Sequence, residues 1–214
     1  MFPTVEARWF RQGEVSPEVA SWFHEAEGDV DRRPRRVDHY LRLKNRNGLG
    51  IKLREGRIEV KQRNLRKDAI HFHQHAVGAI EHWRKWSFPL AGSHQAQLSI
   101  AVPEASWTRV SKERRLLTYR LTEDGRVVVA TSPRDRSDVT RQGCVMELTG
   151  VRVGGQDWWT LAFEAFGDEP LLEDLLFAVA RHLLAARAPP VLNISESWSY
   201  ADWLRIVAQE KDTS

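Results

Sequence analysis

A chain of 214 residues with 42% hydrophobic and 29% charged side chains is long enough to bury a real core as a single domain over 1–214, and no apolar run approaches the ~20 residues of a membrane-spanning helix. The net charge of +3 conceals a polarity: residues 32 to 67 carry fourteen Lys and Arg against three Asp and Glu, while residues 156 to 214 carry four against ten. One cysteine, Cys144, excludes an internal disulfide and suits a reducing compartment. The opening Met-Phe-Pro-Thr-Val-Glu lacks the pattern of an export signal, so a cytoplasmic protein with no membrane partner is expected.

Val5 to Phe10 alternates as a first strand, with Glu6, Arg8 and Phe10 on one side and Val5, Ala7 and Trp9 on the other. Ser16-Pro17-Glu18 reads as an N-cap with proline at the first helical position, and Val19, Trp22 and Phe23 form the apolar stripe of a short helix ending near Ala26. A basic connector, Arg32-Arg33-Pro34-Arg35-Arg36, leads to a strand over residues 37–44 that places Tyr40, Arg42 and Lys44 on one face.

The stretch from Gly48 to Arg63 reads as a β-hairpin turning at Glu55-Gly56, which pairs Arg54 with Arg57, Leu53 with Ile58, Lys52 with Glu59 and Ile51 with Val60. Cross-strand partners share a face. One face therefore carries Lys52, Arg54, Arg57, Glu59, Lys61 and Arg63, and the other carries Ile51, Leu53, Ile58 and Val60, which are expected on a core. Five like charges on one side of a ribbon need neutralising, by acidic strands opposite or by a bound polyanion, unless the face is simply solvated.

His71, His73 and His75 alternate and would share a strand face. No Cys or carboxylate stands at ligand spacing beside them, so hydrated side chains fit better than a zinc site. Strands are expected at Trp107 to Val110, Arg115 to Leu121 and Arg126 to Thr131, the last two joined by a Thr122-Glu-Asp-Gly125 turn. Ser132 to Ser137 reads as a polar turn. Cys144 to Val153 and Trp158 to Phe166 form another hairpin across residues 154–157. The period then changes to 3.6: Asp168 is placed to cap a long helix, Pro170 to open it, and Leu171, Leu172, Leu175, Leu176, Val179, Leu183 and Leu184 to line it until about Arg187. Ser199-Tyr-Ala-Asp202 resembles a capping box that starts a last helix with Trp203, Leu204 and Val207 inward. Eight or so strands joined mainly by hairpins predict an α+β chain: an antiparallel eight-stranded β-barrel, or tunnel, with helices packed outside.

No nucleophile constellation emerges. Cys144 reads as a small core residue, Ser87, Ser93 and Ser132 lack triad spacing, and Gly48-Leu-Gly50 and Gly154-Gly155 are turns rather than phosphate loops.

The order of these elements resembles the CYTH superfamily, the triphosphate tunnel metalloenzymes that include class IV adenylate cyclases, thiamine triphosphatases and inorganic triphosphatases. The likeness rests on the charged first strand ending in Phe10, the helix from Ser16, the Lys52, Arg54, Lys61, Arg63 hairpin, the Cys144-Val-Met-Glu-Leu148 and Thr160-Leu-Ala-Phe-Glu164 pair, the helix from Pro170 and the closing Ser199-Tyr200. It implies a tunnel that binds a phosphorylated anion and carboxylates that hold Mg²⁺ or Mn²⁺ for phosphohydrolase chemistry. By position, Arg8, Arg42, Lys52, Arg54, Lys61, Arg63 and Arg120 would meet the phosphates, and Glu6, Glu147 and Glu164 the metal.

The family opens with Glu-x-Glu-x-Lys. With Phe10 aligned to the phenylalanine that follows that motif, its positions hold Val5, Ala7 and Trp9. A shift of one residue turns Glu6 and Arg8 inward instead. Loss of metal ligands costs catalysis more than it costs anion binding. Two alternatives stand beside this one: a non-catalytic barrel whose Trp9, Phe10 and Tyr40 line a cavity for an amphipathic ligand, and a nucleic-acid-binding protein using residues 32 to 67.

Overall fold

The Glu55-Gly56 turn forms with both residues in the left-handed region, at φ 45° and 72°, the backbone that a two-residue hairpin with right-handed strand twist demands. It sets the expected register, Arg54 opposite Arg57 through Ile51 opposite Val60. The structure is a computed structural model that describes residues 2–26, 28–43, 46, 48–90, 106–130, 142–186 and 189–212. The expectations for Lys44, Ser93, Thr131, the Ser132 to Ser137 turn and Arg187 fall outside them.

Among the described residues there are nine strands: β1 Phe2–Gln12, β2 Asp31–Leu41, β3 Leu49–Arg54, β4 Arg57–His73, β5 Ala76–Pro89, β6 Trp107–Leu121, β7 Val127–Val129, β8 Gly143–Val153 and β9 Gln156–Phe166. Eight of them close into an antiparallel barrel in the order β2-β3-β4-β5-β1-β9-β8-β6, with β6 returning to β2. β7 extends the outer edge, pairing with Tyr119 to Leu121 where β2 has left off at Leu116. Closure removes free sheet edges.

Two expectations change at β2 and β6. The arginine-rich connector belongs to β2, and a register shift between Arg33 and Arg36 accommodates Pro34, since a bulge is where a strand tolerates a residue without an N–H. Trp107 to Leu121 is one continuous strand rather than two.

Among the described residues three α-helices lie outside the sheet: α1 Pro17–Glu25, α2 Leu172–Ala185 and α3 Tyr200–Asp212. Ser16 Oγ caps α1 by accepting from Val19 N at 3.3 Å. A 3₁₀ turn, Glu169–Leu171, precedes α2; Asp168 makes no side-chain cap there, and Leu171 is half exposed rather than buried. Among the described residues no helix is long and apolar enough to cross a membrane.

The helices decide which strand face is greasy. α1 and α2 lay Val19, Trp22, Phe23, Leu172, Leu175, Leu176, Val179 and Leu183 on the outer faces of β1, β9, β8 and β6, burying Val5, Ala7, Trp9, Leu161, Phe163, Cys144, Met146 and Leu117. The main core is therefore outside the barrel. Each fully buried Leu or Val contributes about 1.5–3 kcal/mol, and the opposite faces of the same strands turn inward with Glu6, Arg8, Glu147 and Glu164.

The hairpin follows the same rule. Its charged face is the inner wall, while Ile51, Ile58 and Val60 face outward and are only half buried, with Leu53 the buried member. This corrects the expectation that the whole apolar face sits on a core, while Lys52, Arg54 and Lys61 of the basic face meet carboxylates of other strands inside the barrel.

α3 closes one end of the barrel. Phe10, Val110, Val151, Val153 and Trp158 gather around Trp203 and Val207, and Phe10 stacks on Trp203 at 4.6 Å between centroids. The chain reaches that position through a gap between β1 and β5, whose pairing stops at Glu6 and Glu81. Ser197 fills the gap: its Oγ accepts from Ala79 N at 2.9 Å and donates to the Arg8 carbonyl at 3.1 Å. Tyr200 is thereby delivered into the barrel.

Candidate anion-binding tunnel

Within the barrel the described residues enclose a cavity of about 110 Å³ lined by eight basic side chains, Arg8, Arg36, Lys52, Arg54, Lys61, Lys85, Lys112 and Arg114, and four acidic ones, Glu6, Glu59, Glu147 and Glu164. Tyr40, Trp83 and Tyr200 complete the lining with Gly50, Ser199 and Ala201. The basic residues come from six different strands, so the cluster exists only because the sheet closes.

Two ion-pair networks organise the wall. In the first, Arg8 is 6% exposed and its guanidinium joins β1 to β8, Nε donating to Glu6 Oε1 at 2.6 Å and Nη1 to Glu147 Oε1 at 2.9 Å and Thr160 Oγ1 at 3.3 Å. Arg114 reaches the other oxygen of Glu147 at 3.1 Å, and Lys61 bridges Glu6 to Glu164, the latter at 3.5 Å. In the second, Asp38, fully buried, accepts from Arg54 Nε at 2.9 Å and Nη2 at 2.8 Å, with Lys112 Nζ at 3.4 Å and Arg36 Nε at 3.5 Å. Glu59 joins it through Lys52 at 2.8 Å and Arg54 at 3.3 Å.

The charges set one another's protonation. Burial pushes the Glu6 carboxyl up, but Arg8 and Lys61 outweigh it and bring it to about 2. Glu59 reaches about 2 against its burial, through Lys52 and Arg54. Asp38 and Glu147 are likewise held well below the carboxylate range by their cations. The lysines reveal the surplus: burial and the neighbouring Arg54 push Lys52 down to about 7 although Glu59 touches it, and burial, with Lys52 and Arg54, drives Lys112 far down despite Asp38. Lys61, between two carboxylates, overcomes its burial and rises.

Of the residues expected at the site, Arg8, Lys52, Arg54, Lys61, Glu6, Glu147 and Glu164 line the cavity. Arg63 does not; it is bound to Glu81 and to Asp202 of α3 at the plugged end. Arg42 lies past the end of β2, exposed and bonded to Thr108 Oγ1. Arg120 is exposed at the β7 edge. The first strand takes the register with Glu6 and Arg8 inward, and Val5, Ala7 and Trp9 are covered by helices rather than exposed. Of the aromatic cavity residues, Tyr40 lines the tunnel, Phe10 is under Trp203, and Trp9 is in the outer core. His73 and His75 meet at a β-turn, with ring centroids 5.8 Å apart, and no group of three His, Cys, Asp or Glu among the described residues is placed to hold a metal ion. Cys144 is buried in the outer core, where burial pushes its thiol pKa up.

Arg36, Lys85, Lys112, Arg114, Trp83 and Tyr200 line the cavity without having been expected there, and Asp38 lies buried behind them. Lys112 and Arg114 follow Val110 at steps of two and share its face once β6 is one continuous strand.

The chain matches no family model and no curated protein. Among solved structures it is similar to the PH1819 protein from Pyrococcus horikoshii OT3, at 11% sequence identity and a TM-score of 0.48, over 95% of this chain and 99% of that one.

Proposed function

We propose that this barrel is a CYTH-like tunnel that binds a small phosphorylated anion, an organic triphosphate or inorganic polyphosphate, between β1, β3, β4 and β6. The observation that carries the reading is the excess of basic groups on a closed wall: eight basic side chains face four lining carboxylates and the buried Asp38, and burial, with Arg54 beside it, holds Lys52 at about 7 next to its own ion-pair partner. A bound anion removes that mutual repulsion, and several Arg and Lys donors from different strands suit a chain of phosphoryl groups rather than one carboxylate.

A cavity of about 110 Å³ has the volume of roughly three or four liquid waters. A polyphosphate therefore enters by exchange: Lys52 releases Glu59, Lys61 releases Glu164, and the ligand oxygens take the donors. The protein's carboxylates act as placeholders for the anion. Four members of the basic 32–67 stretch, Arg36, Lys52, Arg54 and Lys61, face this interior, which favours a small ligand over a nucleic acid.

The carboxylates that the resemblance assigns to Mg²⁺ or Mn²⁺ do not fit such an ion as they stand. Arg8 separates Glu6 from Glu147, and Lys61 occupies Glu164. Binding is accordingly the proposed activity, with no hydrolytic step derived.

Calorimetric titration with tripolyphosphate at pH 6.5, repeated across salt concentrations, tests this. One-site binding that weakens with salt is expected. Failure to bind tripolyphosphate, pyrophosphate and ATP alike would overturn it.

A further inference from the structure

Arg8 occupies the place where a divalent cation would have to sit to join β1 to β8. Its guanidinium lies between two carboxylates from different strands, 2.6 Å from Glu6 and 2.9 Å from Glu147, with its Cζ 5.0 Å from the Tyr200 ring centroid. Of its three nitrogens, Nε and Nη1 are spent on these carboxylates and Thr160. Nη2 makes no hydrogen bond to a described residue, and Arg8 lines the cavity.

From this geometry we infer that Arg8 is a built-in cation that replaces a metal ion: it satisfies Glu6 and Glu147 and offers Nη2 to the anion, so phosphate binding is independent of divalent metal. The inference deepens the anion-binding reading and rests on it for the ligand, though not for the metal. A guanidinium does two of a divalent ion's tasks, neutralising carboxylates and holding a phosphoryl oxygen with directed donors. It does not lower the pKa of a bound water, the task that hydrolysis needs. Tyr200 helps to fix the arrangement, because a ring face beneath the guanidinium favours a cation there and covers Arg8 on the side of the plugged end.

The alternation of the first strand explains why this residue does the work. Position 8 follows Glu6 by two, so both share the inner face one step apart, and Glu147 stands on β8 opposite Ala162, which itself pairs with Arg8 across β9. Small Ala162 leaves the space through which the Arg8 side chain spans β9 to reach Glu147.

Titrating the full-length protein with Mn²⁺ alone and following the free-ion electron paramagnetic resonance signal gives a test that needs no anion. The wild type is expected to leave Mn²⁺ free, and Arg8→Ala to take up one ion that the further change Glu147→Gln abolishes. In parallel, wild-type affinity for tripolyphosphate is expected to be unchanged by EDTA, to fall about tenfold or more in Arg8→Ala without metal, and to recover when Mn²⁺ is added. Arg8→Lys keeps the charge but loses the fork; it is expected to fold, to leave Mn²⁺ free and to bind tripolyphosphate more weakly than the wild type. Mn²⁺ uptake by the wild type that disappears in Glu147→Gln overturns the inference, as does tripolyphosphate binding that EDTA abolishes. A wild type that binds no phosphate at all sinks the proposed function, while the Mn²⁺ titrations still decide the role of Arg8.

Discussion

The side-chain nitrogen of Lys112 lies 3.4 Å from the centroid of the ring of Tyr200, the first residue of α3. The same nitrogen donates to the Tyr40 hydroxyl at 2.6 Å, and the two tyrosine rings lie nearly parallel with centroids 5.7 Å apart. A lysine 3% exposed is thus held by two aromatic rings and Asp38 while burial and two like charges oppose its protonation. Lys112→Met keeps the stem and relieves the burial that disfavours this amine's charged form, while Asp38 keeps its two bonds from Arg54 and is not left unpaired. The expected outcome is a melting temperature equal to or above that of the wild type, with tripolyphosphate affinity lower by about 1.5–3 kcal/mol, the usual worth of a hydrogen bond to a charged group. A variant that melts lower and binds equally well would make Lys112 a structural residue.

Lys52 makes anion binding pH-dependent. Its pKa of about 7 in the free protein means that above pH 7 it is mostly neutral, and an arriving anion raises the pKa and draws in a proton. Below pH 7 the proton is already present, so the Lys52 contribution to affinity is flat there and falls as pH rises above 7. Calorimetry in buffers of different ionisation enthalpy should register proton uptake of up to one per site at pH 8, lost in Lys52→Gln. The folding equilibrium has a matching sign. A lysine depressed from 10.5 to about 7 penalises the folded state fully below pH 7, and this penalty is relieved as pH rises from 7 to 10.5.

The hairpin was legible because turn chemistry and alternation gave one register, and the barrel because hairpins followed one another through most of the chain. Which face was inside was not legible. Alternation separates two faces, and helices were expected outside the ring, yet nothing in the first strand itself says which of its faces they cover, so Val5, Ala7 and Trp9 gave no direction. The wall residues of β6 were missed for a different reason. Ser111 to Arg115 is polar at every position because its outward members, Glu113 and Arg115, lie on the part of the outer face that is not buried, so the period of two disappears and the strand reads as broken. Asp38 was hidden by its class: a lone aspartate in an arginine-rich stretch gives no sign that it is the most buried charge in the tunnel.

Gly78 shows how tightly the outer core is built. A Cβ added there would run into the indole of Trp9, whose Nε1 donates to the Val77 carbonyl at 2.9 Å and whose ring meets Phe72 edge-on at 5.6 Å. Trp9 is 1% exposed. Gly78→Ala is expected to cost about 1–3 kcal/mol through overpacking. For a chain of this size that is a fall in melting temperature of roughly 2–4 °C per kcal/mol. An unchanged melting curve would mean that β5 shifts away from β1 at little cost.

Asp38 sets stability against binding. It is the only described carboxylate in contact with Arg54, Lys112 and Arg36 together, and replacing it with Asn leaves three cations facing a neutral amide. Breaking a buried ion pair from one side costs about 3–5 kcal/mol, so Asp38→Asn should unfold at lower denaturant. The sign with pH follows from the depressed pKa of Asp38: its stabilisation is complete above the unfolded value of about 3.9 and is lost as pH falls through the folded value, so the gap between wild type and variant is full at pH 7 and closes only in strong acid. The same change removes a negative charge from the tunnel wall, where interactions between charges are weakly screened. Tripolyphosphate should then bind the folded variant at least about threefold more tightly than the wild type, since each such charge is worth on the order of 1 kcal/mol at this range. If stability and affinity fell together, the carboxylate would be orienting Arg54 for the ligand rather than holding its place.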